Sequence, residues 1–286
     1  MRPRLVLHSV LLVAAACASP DAVALEEQPT TERTPVTITV LYDNRSGPEG
    51  LEAAWGFACV IEGLSDTILF DSGGDGPRLL RNMSKLGVDP RTVDAVVLSH
   101  AHDDHTGGLA GFLDVRGDVR VYAPESFHAG IEAPARARGA RAIAVREPLE
   151  VCPGALVTGD LGRPNGISEQ CLVLSGDAGV AVVTGCAHPG VVRIVERVKA
   201  LTGRDVLVVV GGLHLLRMSD EAVQGIVSDL KALGVRHVVP CHCTGDAAIE
   251  RFAISYGDAF TRCTVGTSIA VGDLLRVVDP GGDPRE

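Results

Sequence analysis

The fold of this chain is decided by the stretch Asp94-Ala-Val-Val-Leu-Ser99-His100-Ala-His102-Asp103-Asp104-His105-Thr-Gly107-Gly108. Ala95–Leu98 is short and wholly apolar, which predicts a strand buried on both faces. Open α/β sheets carry their functional residues in loops at the carboxyl ends of strands, and here that loop is Ser-His-Ala-His-Asp-Asp-His, 99–105. His100 and His102 alternate in near-extended geometry. Asp104 and His105 follow as the chain turns toward a helix that Gly107 and Gly108 allow to start tightly. Imidazole suits Zn and Fe, and a carboxylate beside it admits a second, harder ion. One tetrahedral ion does not need His100, His102, Asp104 and His105 from a single loop, so the run predicts a binuclear metal site. A merely solvated loop has no reason to follow a buried strand with such a set.

Outward from this point the pattern is strands first, then strands interleaved with helices. Val36–Leu41 alternates Thr with aliphatic residues, as a half-buried strand does. Phe57–Ile61 and Thr67–Phe70 flank a Glu-Gly-Leu-Ser-Asp turn and predict a hairpin. Later strands are expected at Leu172–Leu174, Val180–Thr184, Val206–Val210, Val238–Val239 and Ser268–Val271. Apolar residues at helical spacing predict a helix from Pro189 to Leu201, ending at Gly203. A second helix is capped by Ser219 and runs to Leu233, with Gly234 as its stop. A third spans Gly245–Tyr256. Such alternation implies a layered α/β sandwich. Segment 123–168, rich in Pro, Gly, Ala and Arg, is expected to be irregular, a lid or substrate loop.

Three further histidines, His188, His214 and His242, each follow a predicted strand and share an edge with the 99–105 loop. That placement marks His188 and His242 as metal ligands. His214 stays open between a metal-proximal or substrate-binding role and plain packing. Thr244 is a candidate substrate contact by position. His8, His128 and His237 have no comparable placement. Phe70-Asp71-Ser72-Gly73 offers Asp71 either as an orienting partner for a ligating His or as a turn Asp before Gly73-Gly74.

His100-x-His102-x-Asp104-His105 resembles the signature of the metallo-β-lactamase fold superfamily, whose members are four-layer αββα sandwiches binding one or two metal ions. Asp71-Ser72-Gly73 is similar to the element preceding that signature. Thr184-Gly185-Cys186-Ala187-His188, Gly211-Gly212-Leu213-His214-Leu215 and Pro240-Cys241-His242-Cys243-Thr244-Gly245 resemble one subgroup. It is named for 7,8-dihydropterin-6-yl-methyl-4-(β-D-ribofuranosyl)aminobenzene-5'-phosphate synthase. Trp55-Gly56-Phe57 matches an early element in part, with Ala54 where an acidic residue is frequent. The resemblance covers about residues 36–275. It implies one ion on His100, His102 and His188, a second on Asp104, His105 and His242, and a bridging water as nucleophile. Zn is the expected metal, in one or two ions, with Fe or Mn as alternatives. Asp104 and His214 are the expected catalytic contacts. Where many members carry a bridging Asp, this chain has Cys186, which is either a thiolate ligand or a small residue in a tight turn.

Composition bounds the function. Aromatic residues are 3% of the 286-residue chain, so its core is built from Val, Leu, Ile and Ala. A formal net charge of −10 argues against a nucleic-acid partner and leaves a small molecule as the expected one. Arg2, Arg4 and the apolar run Leu5–Ala16 predict an export signal within residues 1–24, followed by a polar tether, 25–35, and a domain, 36–286. The signal ends either at Cys17, lipidated and anchoring the chain to a bacterial envelope, or by ordinary cleavage after Ala24. Seven further cysteines have no spacing that dictates pairing. Together these features predict an exported metal-dependent hydrolase of a small ester, phosphoester or lactone. The alternatives are a transferase like the subgroup's namesake, a β-lactamase, an iron-dependent redox enzyme, and a non-catalytic metal- or ligand-binding envelope protein.

Overall fold

The computed structural model describes residues 35–162 and 166–276. The expected export signal and Cys17 lie outside these residues, as does the tether apart from Pro35. One sheet contains β1 (Thr37–Tyr42), β2 (Ala58–Glu62), β3 (Thr67–Phe70), β4 (Val93–Val97), β5 (Arg120–Pro124) and β6 (Arg141–Val145). The other contains β7 (Leu149–Cys152), β8 (Ala155–Val157), β9 (Leu172–Ser175), β10 (Val180–Thr184), β11 (Val206–Gly212) and β12 (His237–Cys241). A last strand, β13 (Ser268–Ala270), returns to the first sheet, giving the orders β13-β1-β2-β3-β4-β5-β6 and β12-β11-β10-β9-β8-β7.

Each sheet joins an antiparallel part to a parallel part. β1, β2 and β3 pair antiparallel, whereas β3 to β6 run parallel. In the second sheet β10, β11 and β12 are parallel, and β7 to β10 are antiparallel. Parallel neighbours end at the same edge, so every loop following β3, β4, β10, β11 and β12 opens on one side of its sheet.

The sheets face each other across an aliphatic core that includes Ile38, Phe70 and Val97 on one side and Leu172, Val183 and Val210 on the other. The outer face of the first sheet is covered by α1 (Gly76–Lys85), α3 (Leu109–Val115) and α4 (Glu125–Ala137), with Leu79, Phe112 and Ala135 buried. The short α2 (Asp103–Thr106) lies within the histidine loop. The second sheet is covered by α5 (Val191–Thr202), α6 (Asp220–Ala232) and α7 (Asp246–Tyr256), through Ile194, Val227 and Phe252 among others. This is the expected αββα sandwich. A final short helix, α8 (Val271–Leu274), follows β13.

Local signals behave as their chemistry requires. The Ser219 hydroxyl accepts from the Ala222 N–H at the start of α6, and Gly203 closes α5 in the left-handed conformation. Segment 123–168 is a correction: it carries the end of β5, all of α4, and β6, β7 and β8. Its edge strand β6 is Arg-Ala-Ile-Ala-Val with only Val145 buried, and α4 contains Pro134. Strand β6 lacks a clean in-out alternation, and in α4 Pro134 masks the helical spacing of Phe127, Ile131 and Ala135. Among the described residues no helix is long and apolar enough to cross a membrane.

Ile68 is wholly buried between the sheets. Ile68→Ala is expected to lower the unfolding free energy in urea by about 2–5 kcal/mol. A loss below about 1 kcal/mol would mean that the sheets do not pack through this strand.

Candidate metal centre

Five strand ends deliver the site. Asp71 follows β3, the loop from Ser99 follows β4, Cys186 to His188 follow β10, His214 follows β11, and His242 and Cys243 follow β12. Among the described residues the non-glycine positions with positive φ are Asp71 (55°), Ala187 (58°), His214 (56°) and His242 (48°). All four lie in these loops. Left-handed backbone costs a residue with a Cβ on the order of 1–3 kcal/mol, so it persists where surrounding contacts over-determine it.

The imidazoles converge. His100 Nε2 lies 3.1 Å from His102 Nδ1, and the His188 ring centroid is 4.6 Å from that of His100. His105 Nε2 is 3.2 Å from His242 Nε2, with Asp104 Oδ2 3.3 Å from His242 Nε2 and 3.7 Å from His105 Nε2. The outer ring nitrogens point away and are held. His105 Nδ1 donates to Asp71 Oδ2 at 2.7 Å, His242 Nδ1 to Asn44 Oδ1 at 3.0 Å, and His188 Nδ1 to Glu169 Oε2 at 2.9 Å. His100 Nδ1 meets Ser99 Oγ at 2.9 Å, and that hydroxyl donates to Asp71 Oδ2 at 2.7 Å.

This arrangement fits metal ions. With the protons on Nδ1, the Nε2 lone pairs of His105 and His242 face one another, which is repulsive unless a cation lies between them. Donor atoms of His100, His102 and His188 lie within 4.8 Å of one another, as do those of Asp104, His105 and His242. These are the residues that would hold two ions, and bound there the ions supply Lewis acidity.

Two buried carboxylates set the electrostatics. Burial raises the Glu169 carboxyl, but the His188 hydrogen bond and the charges of His100 and His188 outweigh it and hold the pKa near about 2. Burial dominates at Asp71 and pushes it up to about 7, against His100 and the Ser99 hydrogen bonds. Burial also lowers His100 and His105 to about 3, keeping both rings neutral and ready to ligate. Burial opposes the Asp104 carboxylate too, yet the His242 hydrogen bond and the charges of His105 and His242 hold its pKa below the usual range. The Cys186 thiol donates toward the Cys243 sulfur, which draws Cys243 down and Cys186 up.

The structure thus brings His100, His102, Asp104, His105, His188 and His242 together, with Asp71 hydrogen-bonded to His105. His214 joins the edge of this cluster, its ring 4.6 Å from that of His188. Cys186 Sγ lies 3.3 Å from His105 Nε2. Thr244 is not a substrate contact: it is fully buried, donating to Cys241 O and accepting from Leu213 N. His237 pairs with Thr261 at 2.8 Å, away from the cluster. All seven described cysteines are buried and unpaired.

Sequence reasoning missed Glu169, which accepts the N–H groups of Cys186, Ala187 and His188 at 2.8 Å each. It lies in a polar loop with no neighbouring signal. Asn44 was missed for the same reason, as was Asp43, whose Oδ1 accepts the His242 N–H at 2.9 Å.

At one strand-end edge this αββα sandwich carries groups of His, Asp and Cys donors that could hold metal ions. A profile of the metallo-beta-lactamase superfamily matches residues 56–242, and the chain belongs to that superfamily. It is 28% identical over 278 residues to 7,8-dihydropterin-6-methyl-4-(beta-D-ribofuranosyl)-aminobenzene-5'-phosphate synthase of Methanocaldococcus jannaschii, covering 82% of this chain and 95% of that one. Among solved structures it is similar to Tm1679, described as a metal-dependent hydrolase of the β-lactamase superfamily (27% identity, TM-score 0.70, 82% of this chain and 98% of that one). It also shares its fold with the metallo-β-lactamase fold protein YhfI of Bacillus subtilis (13% identity, TM-score 0.62, 82% and 100%). The synthase similarity corrects the expectation of a hydrolase: a curated relative matched over nearly its whole length is named as a synthase.

Replacing the Glu169 carboxylate leaves an amide facing N–H donors. Glu169→Gln is expected to weaken metal binding about 10- to 100-fold in competition with a chelating dye. An affinity within about twofold of the parent would remove Glu169 from the site's support.

The metal-free protein is expected to gain stability with rising pH. Native His100 and His105 stay neutral down to about pH 3, whereas unfolded histidines take up protons near 6.5. Native Asp71 does the opposite, keeping its proton up to about 7 where an unfolded Asp loses it near 3.8. Between about pH 5 and 6, above the titration of the unfolded Glu169 and Asp71 carboxyls, the unfolded chain therefore binds about two protons at these sites where the native state binds one. Stability then rises by up to about 1.4 kcal/mol per pH unit. Urea midpoints of chelator-treated protein that stay flat or fall across this window would contradict these protonation states.

Proposed function

We propose that the chain is a metal-dependent synthase that joins a flat heteroaromatic unit to an aromatic amine bearing a phosphate. The observation that carries this reading is a cleft of about 280 Å³ beside His242, lined by Asn44, Arg45, Trp55, Leu216, Gly245 and Asp246. Trp55 is 52% exposed, and its ring centroid lies 4.8 Å from that of His242. Leu216, 56% exposed, lines the same cleft. A large apolar surface left open beside metal donors suits a planar ring that stacks and excludes water.

The same cleft suits an anion. No side chain caps the N-terminal N–H groups of α7, which begins at Asp246, and such an end attracts phosphate. Arg45 pairs there with Asp246, whose side chain is 91% exposed. An exposed pair of this kind contributes little, so a phosphate can take the place of the carboxylate. The Methanocaldococcus jannaschii relative is named for a product that unites a dihydropterin methyl group with a ribofuranosyl-aminobenzene phosphate. Both surfaces of the cleft match that chemistry: Trp55 for the ring, Arg45 and the α7 terminus for the phosphate. In the joining step the amine nitrogen attacks the methyl carbon while the bond to an oxygen leaving group breaks, the leaving group departing as its anion and the amine proton passing to solvent. Asp104, His105 and His242 are the residues that would hold an ion there, and it would supply Lewis acidity to the leaving oxygen.

The test is incubation of metal-loaded protein with 4-(β-D-ribofuranosyl)aminobenzene 5'-phosphate and a dihydropterin activated at its 6-methyl carbon. Mass spectrometry is expected to find the joined product, and His102→Ala to abolish it. Trp55→Ala is expected to raise KM about tenfold, equivalent to about 1.4 kcal/mol of lost stacking. Full metal occupancy with no joined product would overturn the reading.

A further inference from the structure

Nine donor side chains at the strand-end edge fall into three sets that share no member. They are His100 with His102 and His188, Asp104 with His105 and His242, and Cys186 with His214 and Cys243. Within each set the donor atoms lie within 4.8 Å of one another. A fourth grouping meets the same distance and takes one residue from each set: His100, His105 and Cys186. The three sets therefore converge on one centre. The first two belong to the site described above, and the third is unused by it.

We propose that Cys186, His214 and Cys243 form a third metal position, selective for a thiophilic ion. The backbone builds this set in a regular way. β10, β11 and β12 end at Thr184, Gly212 and Cys241, and each donor stands two residues beyond its strand's end. The strands are parallel neighbours in register, with Thr184 beside Gly211 and Gly212 beside Cys241, so the three loops leave the sheet side by side. Gly212 is needed for their close approach: a Cβ there would fall 2.4 Å from Gly185 O and 2.7 Å from Cys243 Sγ.

Cys243 Sγ reaches within 3.7 Å of the Cys186 carbonyl oxygen, and both cysteines are only 4% exposed. His214 is exposed and held in left-handed backbone. Two buried sulfurs and one solvent-facing imidazole make three protein ligands with an open side, the arrangement of a site that accepts an exogenous ligand. Sulfur donors favour Zn or Cu(I), whereas the imidazole and carboxylate sets accept harder ions such as Mn. The centre thus has one position chemically distinct from the other two, and this holds whether or not the synthase reading does.

Full-length protein, stripped of metal and kept reduced, is titrated with Co²⁺ alone as the probe. The parent is expected to show a sulfur-to-cobalt charge-transfer band in the near ultraviolet. Cys243→Ser is expected to abolish that band and to lower the bound cobalt by one equivalent. His214→Ala, at an exposed side chain, is expected to weaken that equivalent at least tenfold. His102→Ala is expected to keep the band and lose an equivalent elsewhere. Cobalt binding without a thiolate band in the parent would overturn the proposal. So would a band that survives Cys243→Ser but not Cys186→Ser, because Cys186 would then serve the His100 and His105 centre alone.

Discussion

Two carboxylates without any solvent exposure, Asp71 and Glu169, hold the loops of both sheets at a common edge. Asp71 accepts the Ser99 N–H and hydroxyl and the His105 ring; Glu169 accepts three successive N–H groups and the His188 ring. A buried carboxyl is costly, most of all when ionised, unless its oxygens are met by hydrogen-bond partners. Here the required donors are the loops that carry the imidazoles, so the penalty of burial becomes a constraint on ligand position. The loops of the two sheets meet closely at Gly185, where a Cβ would fall 2.1 Å from Ser99 Oγ and 3.0 Å from Asp71 Oδ2. That glycine lets the second sheet's loop touch the first sheet's anchor.

The same constraint explains the backbone strain. Asp71, Ala187, His214 and His242 adopt positive φ without being glycine, and three of them turn directly beside hydrogen bonds to Asp71, Glu169 or Asp43. Neutral, desolvated imidazoles result, which suits metal ligation and costs the apo-protein stability as acid protonates the unfolded chain. Around this core the further features are local: Cys186 facing the His105 ring, and Trp55 open to solvent beside His242.

By itself the sequence determined the layered α/β class, most of the strands, the capping of α6 by Ser219, and the histidines at strand ends. Those signals are local: alternation, helical spacing, and polar donors packed into a few residues after an apolar run. The elements of 123–168 were not legible, because only Val145 of the edge strand β6 is buried and Pro134 masks the helical spacing of Phe127, Ile131 and Ala135 in α4. Tertiary structure alone decided that Glu169 and Asn44 support His188 and His242, that Thr244 is a buried hydrogen-bonding link, and that Cys186, His214 and Cys243 meet. The physical reason is separation along the chain. Glu169 and Cys186 are 17 residues apart and Asn44 and His242 are 198 apart, so only the closing of the two sheets brings each donor to its acceptor.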